Sequence, residues 1–171
     1  MYLLVSYMSI ELIVSLCVCV CVCVRVSFSS LQAAVMSAVI ASKGSIAVAS
    51  SLNGLSGVGE CAYSCAKAAL HPLVMDTAVH YGKQGVNCNA LALGTIQTKV
   101  WDFAPDHILP KIAARNPRGA VGTPDEAARA LCWLASPSAA LINGQVIVAD
   151  GGWAVACGTV AAEDGKAWWD T

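Results

Sequence analysis

Hydrophobic and polar positions divide the chain into two regions of different character. Residues 1–24 are almost wholly apolar, with Glu11 near the middle and Arg25 directly after them. From residue 27 onward, short apolar runs alternate with stretches in which apolar residues recur at helical spacing, a pattern typical of globular domains. The chain therefore consists of an apolar segment and a globular part, and each has to be interpreted separately.

Three short apolar runs in the globular part predict buried β-strands. They are "GSIAVASS", which ends at Ser50 or Ser51, "VNCNALAL", which is terminated by Gly94, and "GQVIVADGG" near the end of the chain. The first strand is followed by "LNGLSGVGE", which is rich in glycine and predicts a loop. Because the runs are short and bounded by Gly or polar residues, we expect strands and not helices.

Apolar residues at helical spacing predict three helices around these strands. The first covers residues 29–42, and the second covers residues 61–81 with a kink or local break at Pro72. The third lies in "TPDEAARALCWLAS", where Thr123 is the N-cap, proline follows it and two acids lie in the first turn. We expect "APDHILPKIAARNP" to form an irregular or helical lid-like insert. Since helices and strands alternate, the sequence predicts an α/β domain with parallel strands and crossover helices.

The apolar segment at the start has three interpretations. It is long enough to span a bilayer, since about 20 apolar residues suffice, but Glu11 opposes insertion and the segment makes a poor secretory signal. Its strict Val-Cys alternation favours a strand. The same alternation is what a repeated GT dinucleotide encodes. We favour the hypothesis that residues 1–23 come from translated non-coding DNA or a mispredicted exon, with a membrane anchor through residues 1–24 as the alternative.

Composition narrows the classes of partner and site. Charged residues make up 12% of the chain and the formal net charge is −1, so no nucleic-acid partner is expected. The nine cysteines follow no disulfide framework, which indicates reduced thiols and a cytoplasmic setting, with the membrane as the alternative. Cys61 and Cys65 are expected to be small buried thiols. No metal site is expected, because neither these cysteines nor the three histidines have companions at ligand spacing.

The stretch "YSCAK" in the second predicted helix places a phenol and an amine together. Tyr63 and Lys67 are four residues apart, so they lie on one helix face, one turn apart. A nearby ammonium lowers the pKa of a phenol, which brings a tyrosine into the range of a general acid/base. Ser51 ends the preceding strand, where its hydroxyl can bond the same substrate oxygen. Taken alone, the Tyr-x-x-x-Lys spacing more often marks an exposed helix face.

Five segments together resemble the C-terminal half of a short-chain dehydrogenase/reductase. They are "GSIAVASSLNG", "YSCAKAAL", "VNCNALALGTIQT", "GAVGTPDEAARALCWLAS" and "INGQVIVADGG". The resemblance covers about three quarters of the chain but about half of a typical family member. It implies an α/β fold with a partial Rossmann-type, doubly wound parallel sheet over residues 24–157. Residues 1–23, of doubtful origin, precede this part, and a tail over residues 158–171 follows it.

The resemblance implies roles for individual residues. Tyr63 matches the catalytic acid/base, Lys67 matches the lysine that binds the nicotinamide ribose and activates that tyrosine, and Ser51 matches the serine that polarises the substrate oxygen. The implied cofactor is NAD or NADP, which the sequence does not distinguish, and the implied substrate is a small carbonyl compound or secondary alcohol. Tyr63 and Lys67 also belong to the implied cofactor-binding set, which is completed by three residues of the carboxamide-holding segment: Gly94, Ile96 and Thr98.

Some positions depart from the family's pattern. Leu93 replaces the usual proline before Gly94, and Cys23 stands where the family has a catalytic asparagine. The glycine-rich phosphate turn of the family has no counterpart in the chain. Residues 101–117 correspond to the variable substrate lid, and Asn89 to a structural position beside the cofactor strand. We therefore expect the chain as written to bind NAD(P)H poorly and to have little or no activity.

Two functions of different classes remain open from the sequence. One is an oxidoreductase of the short-chain family, which transfers hydride between a nicotinamide and a carbonyl compound or secondary alcohol. The other is a non-catalytic, truncated remnant that serves as an interaction partner, with residues 1–24 as a possible membrane anchor. In the full-length family form, the resemblance implies a homo-oligomer that is built on the two longer helices.

Overall fold

Three parallel strands form the centre of the fold in the computed structural model, which describes residues 37–56 and 60–156. The strands are β1, Ser45–Ser51, β2, Asn87–Leu93, and β3, Val146–Ala149. They pair in the order β1-β2-β3, and both pairings are parallel. The three predicted strands and their parallel arrangement are thus confirmed within the described part of the chain.

Helices and short 3₁₀ turns connect the strands. Of the first predicted helix, residues 37–42 are helical and are here called α1. The predicted start of this helix, at residue 29, lies outside the described residues. The predicted lid-like insert is partly helical. The remaining helices are α2, Cys61–Ala68, α3, Leu70–Tyr81, α4, Ile108–Arg115, α5, Pro124–Leu134, and α6, Trp153–Ala156. Single 3₁₀ turns occupy Leu52–Gly54, Gly82–Gln84, Lys99–Phe103 and Pro137–Ala139.

The second predicted helix is present as two helices, α2 and α3, which are separated at Ala69. Pro72 lies in the first turn of α3, where a missing N–H is tolerated. Its ring would crowd the carbonyl of Ala68, four residues earlier, if one helix ran through both segments. The predicted break is therefore confirmed, and it lies one turn before the proline for this reason.

Helices pack on both faces of the sheet. On one face, Val74 of α3 is fully buried against Cys88 and Ala90 of β2. On the other face, Leu134 of α5 packs against Leu91, the next residue along the same strand. Because successive strand residues point to opposite faces, β2 is covered on both sides. The domain is therefore layered, with the sheet in the middle and helices on either side.

Asn89 joins two parts of the sheet through its side chain. It is 1% exposed, and its Nδ2 donates to the carbonyl of Ile142 at 2.7 Å. Its Oδ1 accepts from the backbone N–H of Gln145 at 3.0 Å. A buried amide with both groups bonded is favourable, whereas an unbonded one would be costly. These bonds fix the segment that leads into β3 beside β2, which is a structural role.

A capping box begins α5, as the sequence around Thr123 predicted for the N-cap. The Thr123 hydroxyl accepts from the backbone N–H of Glu126, and the Glu126 carboxylate accepts from the backbone N–H of Thr123 at 2.9 Å. This backbone bond, with the neighbouring Arg118, lowers the pKa of Glu126 from 4.5 to about 2. The carboxylate therefore stabilises the folded state while it is ionised.

Replacing Thr123 with alanine is expected to lower the free energy of unfolding by about 1 kcal/mol, because the first turn of α5 loses its cap.

Replacing Glu126 with glutamine is expected to weaken the pH dependence of the free energy of unfolding in acid. Since the folded pKa of Glu126 is below its ordinary value, its contribution is full above about pH 4.5 and is lost as the pH falls toward 2. Urea unfolding of the purified chain between pH 7 and pH 2.5 measures both effects.

Asp125 offers a matched control in the same helical turn. Its carboxylate pairs with Arg129 one turn along α5, and both side chains are mostly exposed. Exposed pairs of this kind contribute little to stability. Asp125→Asn should therefore leave the acid dependence nearly unchanged. If Asp125→Asn weakens the pH dependence of the free energy of unfolding as much as Glu126→Gln does, the role given to the capping box is wrong.

No helix in the described part of the chain is long and apolar enough to cross a membrane. The anchor that residues 1–24 were considered to form lies outside the described residues, as does the tail over 158–171.

Candidate active site

The carboxyl ends of the three strands meet at one edge of the sheet. Ser51 pairs with Leu93 at the ends of β1 and β2, and Leu93 pairs with Ala149 at the ends of β2 and β3. The residues that follow the strands, including Gly94 and Asp150, therefore lie side by side. Open α/β sheets bind ligands at such an edge, and two of the predicted site residues, Ser51 and Gly94, lie there.

Both the side chain and the backbone carbonyl of Lys67 are hydrogen-bonded to residues of β1. It is 6% exposed, and its Nζ donates to the carbonyl of Ala49 at 3.1 Å. Its own backbone carbonyl accepts from the hydroxyl of Ser50 at 3.3 Å. A buried ammonium is unfavourable without such partners. The two bonds therefore fix both the side chain and the helix turn that carries it against the strand end.

Tyr63 stands one turn before Lys67 on α2 and is exposed to solvent. Its exposed fraction is 41%, and the Nζ of Lys67 lies 5.7 Å from the centre of its ring. The two residues thus lie close together, with Lys67 buried and Tyr63 exposed to solvent. A cation at this distance interacts favourably with the face of the ring.

Ser51 is buried at the end of β1 and caps the 3₁₀ turn that follows. Its Oγ accepts from the backbone N–H of Asn53 at 3.2 Å, and 9% of the residue is exposed. That bond uses a lone pair of the hydroxyl, so the O–H proton is not consumed by it. Ser51 can therefore donate to a ligand oxygen at this edge of the sheet.

His71 belongs to this region, although the sequence pattern predicted no functional role for it. Its Nε2 lies 2.9 Å from the Oγ of Ser50, and both residues are buried. Burial lowers the pKa of His71 from 6.5, so the neutral ring is favoured. A serine hydroxyl has one proton. If Ser50 donates to the carbonyl of Lys67, then the His71 Nε2 must be the donor to Ser50. His71 thus orients the Ser50 hydroxyl, which in turn bonds the backbone carbonyl of Lys67.

Gly54 permits the close approach between the loop after β1 and α2. A Cβ at this position would lie 2.9 Å from the backbone N of Ala68 and 2.9 Å from the carbonyl carbon of Lys67. Contacts this short with backbone atoms require one of the segments to move. The sequence predicted only a glycine-rich loop here. In the fold, glycine is needed at position 54 because the loop lies directly against the backbone of Lys67 and Ala68.

Gly94 and Asp150 form the second close approach at the sheet edge. The Gly94 N–H donates to the carbonyl of Ala149 at 3.0 Å, and a Cβ on Gly94 would lie 2.7 Å from both the Cα and the Cβ of Asp150. The carboxylate of Asp150 accepts from the backbone N–H groups of Gly152 and Ala154. Glycine is therefore required at position 94 to bring the ends of β2 and β3 together.

Ile96 and Thr98 lie on the segment beyond Gly94. Ile96 forms an isolated parallel bridge with Gly122, and Thr98 precedes the 3₁₀ turn Lys99–Phe103. A cleft of about 180 Å³ lies between this segment, the end of β3 and α5. Of the six predicted site residues, only Ile96 lines it. Ser51, Tyr63 and Lys67 do not line this cleft.

The lid-like insert is connected to the same segment. The indole N–H of Trp101 donates to the carbonyl of Ile96 at 2.9 Å. Phe103, two residues later, is 92% exposed. The insert is thus anchored where it leaves the strand end and presents an exposed aromatic ring beyond that anchor.

Cys61 and Cys65 differ from the sequence expectation. Both were expected to be buried, and both are exposed on α2. The sequence could not reveal this, because alanine and cysteine have similar apolar character at every turn of this helix. The described residues contain no group of three or more histidine, cysteine or acidic side chains that could hold a metal ion.

Comparisons with known proteins agree with this architecture. Residues 21–154 match the model of a protein family described as Enoyl-(Acyl carrier protein) reductase. L-rhamnose 1-dehydrogenase (NAD(P)(+)) of a Sphingomonas species is 37% identical over 112 residues, which are 64% of this chain and 44% of that protein. An oxidoreductase of the short-chain dehydrogenase/reductase family from Burkholderia thailandensis has a similar structure, with a TM-score of 0.68 and 32% identity over 71% of this chain and 50% of that one.

A further solved structure, 4-hydroxyisoleucine dehydrogenase complexed with NADH, has a TM-score of 0.66 and 29% identity over 73% of this chain and 54% of that one. The chain thus spans about half the length of the relatives that it matches. The resemblance seen in the sequence and the Rossmann-type α/β fold are confirmed, because a family model covers most of the chain and the structural neighbours share the fold. The chain belongs to the short-chain dehydrogenase/reductase family.

Proposed function

We propose that the chain carries the catalytic part of an oxidoreductase that transfers hydride between NAD or NADP and a small carbonyl compound or secondary alcohol. The observation that supports this most directly is the position of Lys67. Its ammonium is buried, is bonded to the end of β1, and lies 5.7 Å from the ring of the exposed Tyr63. Carbonyl reduction needs an accessible proton donor and a cation that stabilises its ionised form.

In this proposal Tyr63 moves the proton. During reduction its hydroxyl donates a proton to the carbonyl oxygen while hydride reaches the carbonyl carbon. During oxidation the phenolate takes the proton of the alcohol. The Lys67 ammonium favours the phenolate by its charge. The Ser51 hydroxyl donates to the same substrate oxygen and stabilises the negative charge that develops there.

The residues present also fit the nicotinamide end of a cofactor. An ammonium has three donors, and the bond to Ala49 uses one of those on Lys67. The others can bond the hydroxyls of a ribose. Gly94, Ile96 and Thr98 follow the neighbouring strand end, where they are proposed to hold the carboxamide. When bound, the nicotinamide supplies or accepts the hydride.

The test is hydride transfer from deuterated cofactor. The purified chain is incubated with NADH or NADPH that carries deuterium at C4, together with a panel of small ketones and aldehydes. Mass spectrometry then detects a deuterium-labelled alcohol. Because the sequence contains no glycine-rich phosphate turn, we expect weak dinucleotide binding, so the cofactor is used at millimolar concentration. We expect slow transfer that depends on the folded chain.

A heat-unfolded sample of the same chain is the control. Labelled alcohol from the folded chain alone would support the proposal. If no ketone or aldehyde is labelled above the unfolded control with either cofactor, this chain is not an oxidoreductase on its own, and the non-catalytic alternative is favoured.

A further inference from the structure

One buried hydroxyl contacts both of the helices that the break at Ala69 separates. The Oγ of Ser50, on β1, lies 3.3 Å from the backbone carbonyl oxygen of Lys67 on α2 and 2.9 Å from the Nε2 of His71 on α3. Each of these three residues is less than a tenth exposed. Buried polar groups are stable only while they keep their partners. Two helices and a strand are therefore joined at one oxygen, directly beside the lysine of the candidate active site.

The helix break makes the position of Lys67 depend on groups outside its own helix. Pro72 has no N–H to donate to the carbonyl of Ala68, so the helical hydrogen-bond pattern is interrupted directly after Lys67. Carbonyls in the last turn of a helix need other donors. The Ser50 hydroxyl is such a donor for Lys67. It acts together with the bond from the Lys67 Nζ to the carbonyl of Ala49.

The protonation of His71 at Nε2 determines where the Ser50 proton points. A hydroxyl has one proton, and a backbone carbonyl can only accept. If Nε2 carries a proton, it donates to Ser50, and the Ser50 proton remains for the carbonyl of Lys67. If Nε2 carries none, it accepts the Ser50 proton, and that carbonyl loses its donor. The ring also packs against the loop after β1, because a Cβ on Gly54 would lie 3.1 Å from the His71 Cε1.

We propose that Ser50 and His71 are positioning residues for Lys67. His71 donates from Nε2 to Ser50, and Ser50 donates to the carbonyl of Lys67, which keeps the lysine ammonium at the end of β1. This role rests on the proposed function, in which that ammonium bonds the ribose and favours the phenolate of Tyr63. Loss of either contact should therefore slow hydride transfer although no reacting group is removed.

The tautomer of His71 tests the direction of these hydrogen bonds without cofactor or substrate. The folded chain, labelled with nitrogen-15 in its histidines, is studied by two-dimensional NMR at about pH 8. The ring is neutral there, because burial lowers the pKa of His71 from 6.5. We expect the tautomer with the proton on Nε2, in signals that disappear in His71→Gln. The tautomer with the proton on Nδ1 would overturn the proposal, because Nε2 could then only accept from Ser50.

Substitutions test the effect on hydride transfer. His71→Leu removes the donor and Ser50→Ala removes the bridging hydroxyl, so each should lower kcat/KM for the deuterated cofactor by about 10-fold, the size of effect expected from one buried hydrogen bond. The double variant should lose little more than the worse single variant, because both changes break one chain of contacts. His71→Gln keeps an N–H donor near the position of Nε2 and should restore most of the rate.

His80 supplies the matched control for a histidine on the same helix. It is exposed, and its Nδ1 lies 2.7 Å from the carbonyl of Asp76. His80→Gln should therefore leave kcat/KM unchanged. Urea unfolding of every variant shows whether a lower rate reflects loss of the folded chain, and rates are compared only under conditions where each variant is folded.

Methylation of the Lys67 amine supplies a second measurement that needs no hydride transfer. The folded variants are treated briefly with formaldehyde and cyanoborohydride, and mass spectrometry compares the labelling of Lys67 with that of the exposed Lys43. Because Lys67 is 6% exposed, it should react slowly in the unsubstituted chain. We expect faster labelling of Lys67, relative to Lys43, in His71→Leu and Ser50→Ala, and slow labelling in His71→Gln and His80→Gln.

Three further results would overturn the proposal. They are unchanged labelling of Lys67 in both His71→Leu and Ser50→Ala, an equal effect in His80→Gln, and fully additive losses of kcat/KM in the double variant. If the unsubstituted chain transfers no hydride, the proposed function is wrong. The tautomer of His71 and the labelling of Lys67 still decide, in that case, whether Ser50 and His71 position this lysine.

Discussion

Replacing Tyr63 with phenylalanine is expected to lower the rate of hydride transfer by about 10²–10⁴-fold, the usual contribution of a positioned proton donor. The substitution removes one hydroxyl and keeps the ring that faces the Lys67 ammonium. Because Tyr63 is 41% exposed, little buried surface is disturbed and the fold should be retained. The measurement is the initial rate of deuterium transfer to the best carbonyl compound, compared with the unsubstituted chain.

Tyr81 provides a matched control for the loss of a phenol hydroxyl. It ends α3 and packs against the cluster of Val39 and Val86, which lies near the amino ends of the strands. Tyr81→Phe should keep the rate within a factor of a few. An unchanged rate in Tyr63→Phe, or an equal fall in Tyr81→Phe, would contradict the acid/base role of Tyr63.

Replacing Gly94 with alanine is expected to lower the free energy of unfolding by about 1–3 kcal/mol or more. The added Cβ would lie 2.7 Å from the Cα and Cβ of Asp150, a contact that only a shift of the backbone can relieve. That shift would separate the ends of β2 and β3 and move the segment that carries Ile96 and Thr98. A loss of this size is a large fraction of the stability of an ordinary domain. Urea unfolding measures it.

Gly82→Ala is the matched control for a glycine-to-alanine change. Gly82 follows α3 with a helical φ of −58°, and a Cβ there would meet only the Asn143 amide at 3.4 Å. This change should be neutral or slightly stabilising, because alanine restricts the unfolded chain. If Gly94→Ala is equally neutral, the close approach of the two strand ends does not require glycine.

Local signals in the sequence were sufficient for the elements of the fold. The apolar runs of β1, β2 and β3 are short and bounded by polar or glycine residues, and each forms a strand of the sheet. Only the central strand β2 is largely buried; β1 is buried at its last two residues, and β3 has no buried residue. The helix break near Pro72 and the cap at Thr123 were predictable because they depend on the clash of a proline ring with the preceding turn and on a side chain within one turn.

The residues of the candidate site were only partly predictable. The spacing of Tyr63 and Lys67 placed them on one helix face, since four residues make about one turn. The same spacing did not reveal that Lys67 is buried and bonded to Ala49, because that bond joins residues 18 positions apart. Nor did the sequence assign a role to Ser50 and His71, 21 positions apart, whose contact depends on how α3 packs against β1.

By itself, therefore, the sequence determined the strands, the helix break near Pro72, the helix cap at Thr123 and the relative placement of Tyr63 and Lys67, because all of these follow from hydrogen bonds and sterics within a few residues. Only the tertiary structure decided which polar groups are buried with partners and which thiols face solvent. It also decided which glycines are required, such as Gly94 against Asp150. These properties depend on contacts between segments far apart in the chain, and such contacts exist only once the helices have packed on the sheet.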